Sequence, residues 1–555
     1  MLAAQLGCGE WLGYGEGRQF LSVRAIRRRD RPGGAALALV QGYIDAACGT
    51  IRSHLAILTE SRRQGFPPLP VRARIMTDRE MERGMRNVEQ VWQLVDDKRE
   101  EFAALSDRVW GMPELNFKEV RSAAEHKAML ERHGFRIAEN LAGIPTALMG
   151  EAGEEGPVIA ILGEYDALPG LSQEAGVAEH RPLEHSSSGH GCGHNLLGSA
   201  SLLAAAAVKD WLAANGMKGR VRYYGCPAEE GGAAKAFMVR DGLFKDVDIA
   251  ISWHPAPLSG VNEAKSLAIL QLDFSFTGRA SHAATAPHLG RSALDAVELM
   301  NIGVNYMREH MPSDARVHYA LLDAGGIAPN VVQASAKVRY LVRAAELPAL
   351  WRLVERVKKI AEGAALMTET TVTSAVNSAM SNLLGNKVLE QAMHDNFRRL
   401  GPPEFDEEDR AFARRIQATV TEEDIASAFR RFGIPPTEAP LCDAIVPLDA
   451  VGADMRGSTD VGDVSWAVPT VQARGATYAI GTPGHSWQLT AQGKTPAAHK
   501  GMAHVAKVMA GTAVDLLQDG ALIERAKAEH QARLARTPYV CPLPDGMAPA
   551  FDMAG

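Results

Sequence analysis

Two residues apart in the run SSSGHGCGHNLLGSASLLAAAA, Cys192 and His194 offer a thiolate and an imidazole. That spacing lets both converge on one divalent ion from a single turning segment. Glycines on either side keep the loop open. The small, apolar run Leu196 to Val208 follows directly and reads as a buried helix, so the two donors would sit at a rigid helix entrance. Cysteine and histidine in a glycine-rich loop are also common as plain turn residues, so this loop alone leaves metal binding open.

Three more loops add donors, each after a short apolar run that reads as a strand. Val158 to Leu162 leads into GEYDALPGL with Glu164 and Asp166, Val221 to Tyr224 into GCPAEEGGAAK with Glu229 and Glu230, and Ile249 to Trp253 into His254. Sites in open α/β sheets form at the carboxyl ends of strands. A lone acidic pair after a strand is more often a helix cap or a solvated turn. Four successive loops that each carry a Cys, His, Glu or Asp are harder to explain that way. Adjacent carboxylates point in different directions, so Glu230 can hold a metal while Glu229 stays free to take a proton. The ion lowers the pKa of water toward neutrality for attack on a carbonyl, and a bridging thiolate or carboxylate could hold two ions about 3.5–4 Å apart. This is the chemistry of amide or peptide hydrolysis.

The elements that must position these residues follow from periodicity. Asp78 to Leu105 and Phe117 to His133 carry apolar residues at helical spacing. Pro145 to Met149 adds a strand, and helices are expected at Leu196 to Trp211 and Ala233 to Asp241. Strands alternating with helices predict an α/β catalytic layer with a mostly parallel sheet. The middle of the chain reads differently. Strands at Ser266 to Thr277, Val317 to Leu321 and Val331 to Val342, with helices from Ala293 and over Leu347 to Ala365, make an inserted α+β satellite domain. The predicted division is 76–265 and 379–555 for the catalytic domain and 266–378 for the satellite. After it, Leu383 to Arg399 reads as a helix, 401–436 as a charged, solvated helical excursion, and Thr495 to Leu517 as a final long helix whose His499 and His504 face the surface.

Composition bounds the rest. With 555 residues and 46% hydrophobic content, about two to four domains are expected. A net charge of −7 leaves no electrostatic footprint for nucleic acid or an anionic membrane. Ala36 to Val40 and Leu196 to Val208 both stop short of the roughly 20 residues a bilayer span needs. A soluble protein is expected. Six cysteines without repeating spacing argue against a disulfide framework and for the cytoplasm. Residues 1–75 differ from the rest: they are rich in Arg, lack Lys, and hold one helix-like piece, Ala35 to Leu58. They read as a disordered or misassigned extension, with Met76 or Met81 as a natural start.

GEYDALPGL, GHGCGHNLLG, CPAEEGG, ISWHP, GRASHAATAPHLGRSALDAV, GIAPNVVQASAKVRYLVRA, GSTDVGDVSW and GTPGHSWQ occur in this order. Together they resemble the amidohydrolase branch of the dinuclear metallo-aminoacylase and carboxypeptidase clan, from about Thr77 to the closing YVCPLPDG. The resemblance implies Cys192, His194, Glu230, His254 and His485 as metal ligands, Glu229 as general base and Asp166 as the carboxylate that orients a ligand. It implies two divalent ions per subunit, Mn²⁺ or Zn²⁺. His282, Asn330 and Arg343 would reach toward substrate from the satellite, which would also carry a homodimer interface. The branch's HxCGHD stands here as His190 to Asn195, with Asn in place of the last Asp. The implied activity is hydrolysis of an N-acyl or N-aroyl amino acid, with p-aminobenzoyl-glutamate as the leading substrate. A dipeptide or other N-acyl-amino-acid hydrolase of the same fold is the close alternative. From a different class, a non-catalytic subunit of a hetero-oligomeric amidase is the other reading. Asp460 and Asp463 lie near the site by the same resemblance.

Overall fold

In the computed structural model, which describes residues 78–261, 265–452 and 457–552, two helices come first among the described residues: α1 (Asp78–Asp96) and α2 (Arg99–Trp110). The periodicity read as one helix breaks at Asp97-Lys98, because Phe102, Leu105 and Val109 of α2 need a separate path into the core. Residues 1–77, with the helix-like piece at Ala35 to Leu58, lie outside the described residues. The chain from Val88 onward forms one compact unit.

The first catalytic segment comprises α3 (Val120–Arg132), β1 (Arg136–Glu139), β2 (Leu148–Glu154), β3 (Val158–Glu164), α4 (His194–Asn215), β4 (Gly219–Cys226), α5 (Ala234–Arg240) and β5 (Ile249–Ala256). A four-stranded antiparallel layer follows, built of β6 (Ala268–Thr277), α6 (Ala293–Met307), β7 (Arg316–Asp323), β8 (Ser335–Ala344), α7 (Leu347–Thr368) and β9 (Thr371–Met380). The chain then returns through α8 (Lys387–Leu400), α9 (Glu407–Gln417), α10 (Glu422–Phe432), α11 (Val461–Ala467), β10 (Thr470–Ala476), α12 (Trp487–Gln492), α13 (Pro496–Gln518) and α14 (Gly520–Leu534).

Strand order in the main sheet is β1-β2-β4-β3-β5-β10. The pairs β4/β3, β3/β5 and β5/β10 are parallel, and only the β1/β2 and β2/β4 pairs run antiparallel. The expected α/β catalytic domain with an α+β satellite is the fold observed. Side chains of β3 divide by parity: Val158, Ala160 and Leu162 enter one core, Ile159 and Ile161 the other. A strand buried on both faces reads as an unbroken apolar run.

Helix α4 begins at His194, two residues after Cys192, and is buried almost all round, from His194 to Leu212. Among the described residues it is long and apolar enough to cross a bilayer, beyond the shorter run read from the sequence, yet 83% of that window is buried inside the protein. Packing explains its composition. Gly198 lets it lie against β3, since a Cβ there would come within 2.5 Å of the Glu164 carbonyl oxygen. Burying each Leu of this face contributes about 1.5–3 kcal/mol.

In the satellite, Ala336, Val338, Tyr340, Val342 and Ala344 of β8 point to the core shared with α6 and α7, and Lys337, Arg339 and Arg343 alternate away from it. The strand read from Val331 starts only at Ser335, and Val331 makes a single bridge to His282. The charged excursion is less solvated than expected. Helices α9 and α10 are opened by capping boxes at Asp406/Asp409 and Thr421/Asp424, and Ile416, Phe429 and Phe432 build a third core with Ala479 and Ile480. His504 is also a correction. It is 7% exposed and its Nε2 bonds the Gly401 carbonyl at 2.7 Å, because α13 packs against α4 and α8 instead of lining the surface. His499 is half-buried against Asp107 at 2.9 Å.

Candidate metal centre

The parallel strands β3, β4 and β5 end at one edge of the sheet, and the loops that leave them converge there. Gly193 starts α4 in the left-handed region (φ 81°), and a Cβ on it would come within 3.0 Å of Pro255 Cγ. This close approach brings Cys192 to His254, with Sγ and Nε2 3.3 Å apart. His485 arrives from the far end of the chain. Its amide donates to the Gly191 carbonyl at 3.1 Å and its own φ is 53°. A left-handed non-glycine residue costs of order 1–3 kcal/mol and is found where function fixes the backbone.

His194 sits between two carboxylates. Its Nδ1 bonds Asp166 Oδ1 at 2.8 Å, which leaves Nε2 facing Glu164 Oε2 at 3.3 Å and Glu230 Oε1 at 4.0 Å. The other oxygen of Asp166 accepts the Glu230 amide at 2.9 Å, so one carboxylate aligns both the imidazole and the acidic loop. Glu230 Oε2 faces His485 Nε2 at 3.5 Å. Three overlapping triads keep their ligand atoms within 4.8 Å of one another: Cys192, His194 and His254; Cys192, Glu230 and His485; and Glu164, His194 and Glu229. Cys192 belongs to two of them, the position a thiolate shared by two ions would hold.

The donor set fits a metal. His194 Nε2 and Glu230 Oε1 are buried without a hydrogen-bond partner and face the same space. Burial and the Glu230 charge push the Cys192 thiol up, so a nearby cation is what would free its thiolate. Burial, with Arg474 close by, holds His254 well below the usual imidazole range, neutral and able to ligate. Burial alone would depress His194, but Cys192 and Asp166 raise it well above its ordinary value. Burial would raise Asp166, and His194 outweighs it, leaving the carboxyl low. Burial and the charges of Glu164 and Glu230 push Glu229, 8% exposed, well above the carboxylate range.

A family model for peptidase family M20/M25/M40 matches residues 160–438. One of the subunits of p-aminobenzoyl-glutamate hydrolase from Escherichia coli is 46% identical over 478 residues, covering 83% of this chain and 99% of that protein. The chain belongs to peptidase family M20/M25/M40. It is also similar to the Xaa-Arg dipeptidase of Mus musculus, 29% identical over 79% of this chain and 91% of that one. A crystal structure of an aminobenzoyl-glutamate utilization protein from Klebsiella pneumoniae shares the M20 fold, with a TM-score of 0.53 and 16% identity over 77% of this chain and 98% of that one. The protein is a metal-dependent amide-bond hydrolase.

Further residues support this cluster, some of them inside the quoted motifs but with no role assigned from the sequence. Lys235, fully buried at the start of α5, places Nζ 2.7 Å from Glu164 Oε1 and 2.6 Å from Asp460 Oδ1. Asp460 thus touches the site through Lys235. Asp463 does not: it holds Ser381 and the Tyr539 hydroxyl, where the chain returns from the satellite. Glu119, fully buried, accepts the amides of Phe117 and Ala228 at 2.9 Å each and so anchors the loop that carries Glu229. Asn195 also has a structural task. Its Nδ2 donates to Ser106 Oγ at 2.9 Å and to the Gly493 carbonyl at 3.0 Å, and a carboxylate could not donate either bond.

His282 is exposed, with Nδ1 accepting the amides of Ala284 and Thr285, and Asn330 bonds Ala283 through its carbonyl. Among the described residues, no hydrogen bond or ion pair joins either to the ligand cluster of the same chain. Arg343 reaches Ser458 Oγ at 3.4 Å, two residues before Asp460.

Cys192→Ser is expected to lose metal and activity together, because a hydroxyl is a much poorer bridging ligand than a thiolate. Elemental analysis beside a rate assay checks this. Parental metal content with parental turnover would remove Cys192 from the ligand set.

Proposed function

We propose that the protein cleaves the amide bond of N-acyl or N-aroyl amino acids in the cytoplasm, with p-aminobenzoyl-glutamate as leading substrate. The observation that carries this reading is the convergence of Cys192, His194, Glu230, His254 and His485 on one space with Glu229 beside them. Two Mn²⁺ or Zn²⁺ ions held by these donors would polarise the scissile carbonyl and make water a competent nucleophile. Glu229 takes the proton of the attacking water and passes it to the departing nitrogen, a transfer suited to a carboxyl whose pKa lies above its usual range. Asp166 fixes the His194 tautomer with Nε2 free. Arg343 and Asn330 steady the substrate from the satellite. The similarity to an enzyme named for p-aminobenzoyl-glutamate supports the substrate. Purified protein with Mn²⁺ or Zn²⁺, assayed on a panel of N-acyl amino acids and dipeptides, tests it. Release of p-aminobenzoate is expected, and a protein inactive on every compound without a second subunit would favour the non-catalytic reading.

In the same proposal the satellite pairs two copies. Among the described residues its edge strand β7 leaves one side unpaired, and Tyr319, Leu321 and Leu322 on it are exposed. An unpaired edge with exposed apolar side chains is a template for a second chain. The Escherichia coli relative is named as one of two kinds of subunit of its hydrolase, which supports a related chain as the other partner. We assign His282 to the active site of the partner, where it would steady the oxyanion. His282→Ala and Glu229→Gln should each be nearly inactive, yet random mixing restores one intact site in each mixed dimer and roughly a quarter of parental activity. Confirmed exchange with no recovery would return His282 to a purely local turn role.

A further inference from the structure

Among the described residues, Arg474 is a cation beside this site with no anion paired to it. It lies on β10 in register with His254 on β5, and residues paired across a parallel ladder project from the same face of the sheet. The guanidinium therefore leaves the sheet beside the imidazole that approaches Cys192. Its backbone is fixed by two hydrogen bonds with Gly260, at 2.8 and 3.1 Å. Cys192, Glu164, Tyr478 and Arg431 all lie within its electrostatic reach. Yet among the described residues no carboxylate comes within ion-pair distance of Arg474, and its side chain donates no hydrogen bond to the protein.

Three other part-buried or buried cations of the catalytic and satellite domains are neutralised, while among the described residues Arg343 meets only the Ser458 hydroxyl. Arg222 is held by Glu151 and Asp246, Arg339 by Asp273, and Lys235 by Glu164 and Asp460. A half-buried guanidinium without a partner is costly, and Arg431 nearby and divalent ions on the adjacent donors would add repulsion. Such a group is stabilised by an anion that arrives from outside, and its planar fork matches a carboxylate.

We propose that Arg474 anchors a carboxylate of the substrate, so that the catalytic sheet itself selects amides carrying a negative charge near the scissile bond. The proposal rests on the amide-hydrolase reading of the site and adds what that reading lacks, a charge-selecting residue outside the satellite. Arg343 would meet the substrate from the satellite side, Arg474 from the sheet.

The test compares p-aminobenzoyl-glutamate with its bis-carboxamide, in which both carboxylates are neutral, on the metal-loaded full chain and its Arg474→Met variant at equal metal content. The kcat/KM preference for the acid is expected to fall roughly 10–10²-fold in Arg474→Met, mainly through KM, the range lost with a charge-assisted hydrogen bond. Arg474→Lys should keep part of the preference. Calorimetry on metal-stripped protein gives a readout without turnover: the acid should bind more weakly to Arg474→Met by a similar factor, and the bis-carboxamide equally to both. Should Arg474→Met melt well below the parent, Arg474→Gln replaces it. An unchanged preference together with unchanged binding of the acid overturns the proposal. If the parent cleaves neither compound, the amidase reading fails, and the binding comparison alone decides Arg474.

Discussion

Glu229→Gln is expected to bind metal like the parent and to turn over at least about 10²-fold more slowly, with KM little changed. Glutamine keeps the shape of the side chain and adds no charge, so the crowding by Glu164 and Glu230 around position 229 does not increase. What it cannot do is accept the proton of the attacking water. The neighbouring variant separates the two roles. Glu230 Oε1 faces His194 and Oε2 faces His485, so Glu230→Gln should lose metal affinity first and activity as a consequence. Glu229 also belongs to a triad with Glu164 and His194 whose atoms are close enough to share an ion. Loss of metal from Glu229→Gln would make it a ligand, and full activity in both variants would remove both assignments.

Most donors are legible in the sequence because they stand at or just after the carboxyl end of a strand, or two residues apart in one glycine-rich loop, and short motifs survive as contiguous text; His485 is marked only by the family resemblance. Glu164 and Asp166 end β3, Glu229 and Glu230 follow β4, and His254 closes β5. What joins them is not legible. Lys235 and Asp460 are 225 residues apart, and neither position has a local pattern to mark a buried ion pair. Glu119 reads like any acid before a helix, and only the folded chain shows it holding the loop of Glu229. Strand β9 escapes the periodicity for a related reason. Its first residues, TVTSAV, are largely solvent-facing and polar, so period-2 alternation of apolar residues never develops. Helices α9 and α10 read as solvated because charges dominate their sequence, while the few residues that matter, such as Ile416 and Phe429, complete a core whose other half lies near Ala479. Periodicity reports one face of an element, and it cannot report which distant face covers it.

Removing the Lys235 ammonium is expected to destabilise the fold by about 3–5 kcal/mol at neutral pH, the cost of breaking a buried pair from one side. Lys235 is fully buried, its Nζ lies between Glu164 and Asp460, and its amide also donates to Asp460 Oδ2 at 3.0 Å. In Lys235→Met two buried carboxyls keep their burial and lose their counter-charge. Burial already raises Asp460 to about 6 despite the lysine, so the variant must raise it further. The sign of the pH dependence follows. A carboxyl whose folded pKa exceeds its unfolded value costs nothing below the unfolded value near 4, and costs more as pH rises toward the folded one. The deficit of Lys235→Met against the parent should therefore be largest above pH 6 and shrink toward pH 4. Denaturant unfolding at pH 7 and pH 5, at one saturating metal concentration, measures it. The double variant Lys235→Met/Asp460→Asn should recover part of the loss, because it removes one of the two stranded charges, and with Asp460→Asn alone it closes the cycle that gives the coupling between the two side chains. A Lys235→Met protein within about 1 kcal/mol of the parent at both pH values would mean that the trio is solvated and does not brace Glu164 against His194.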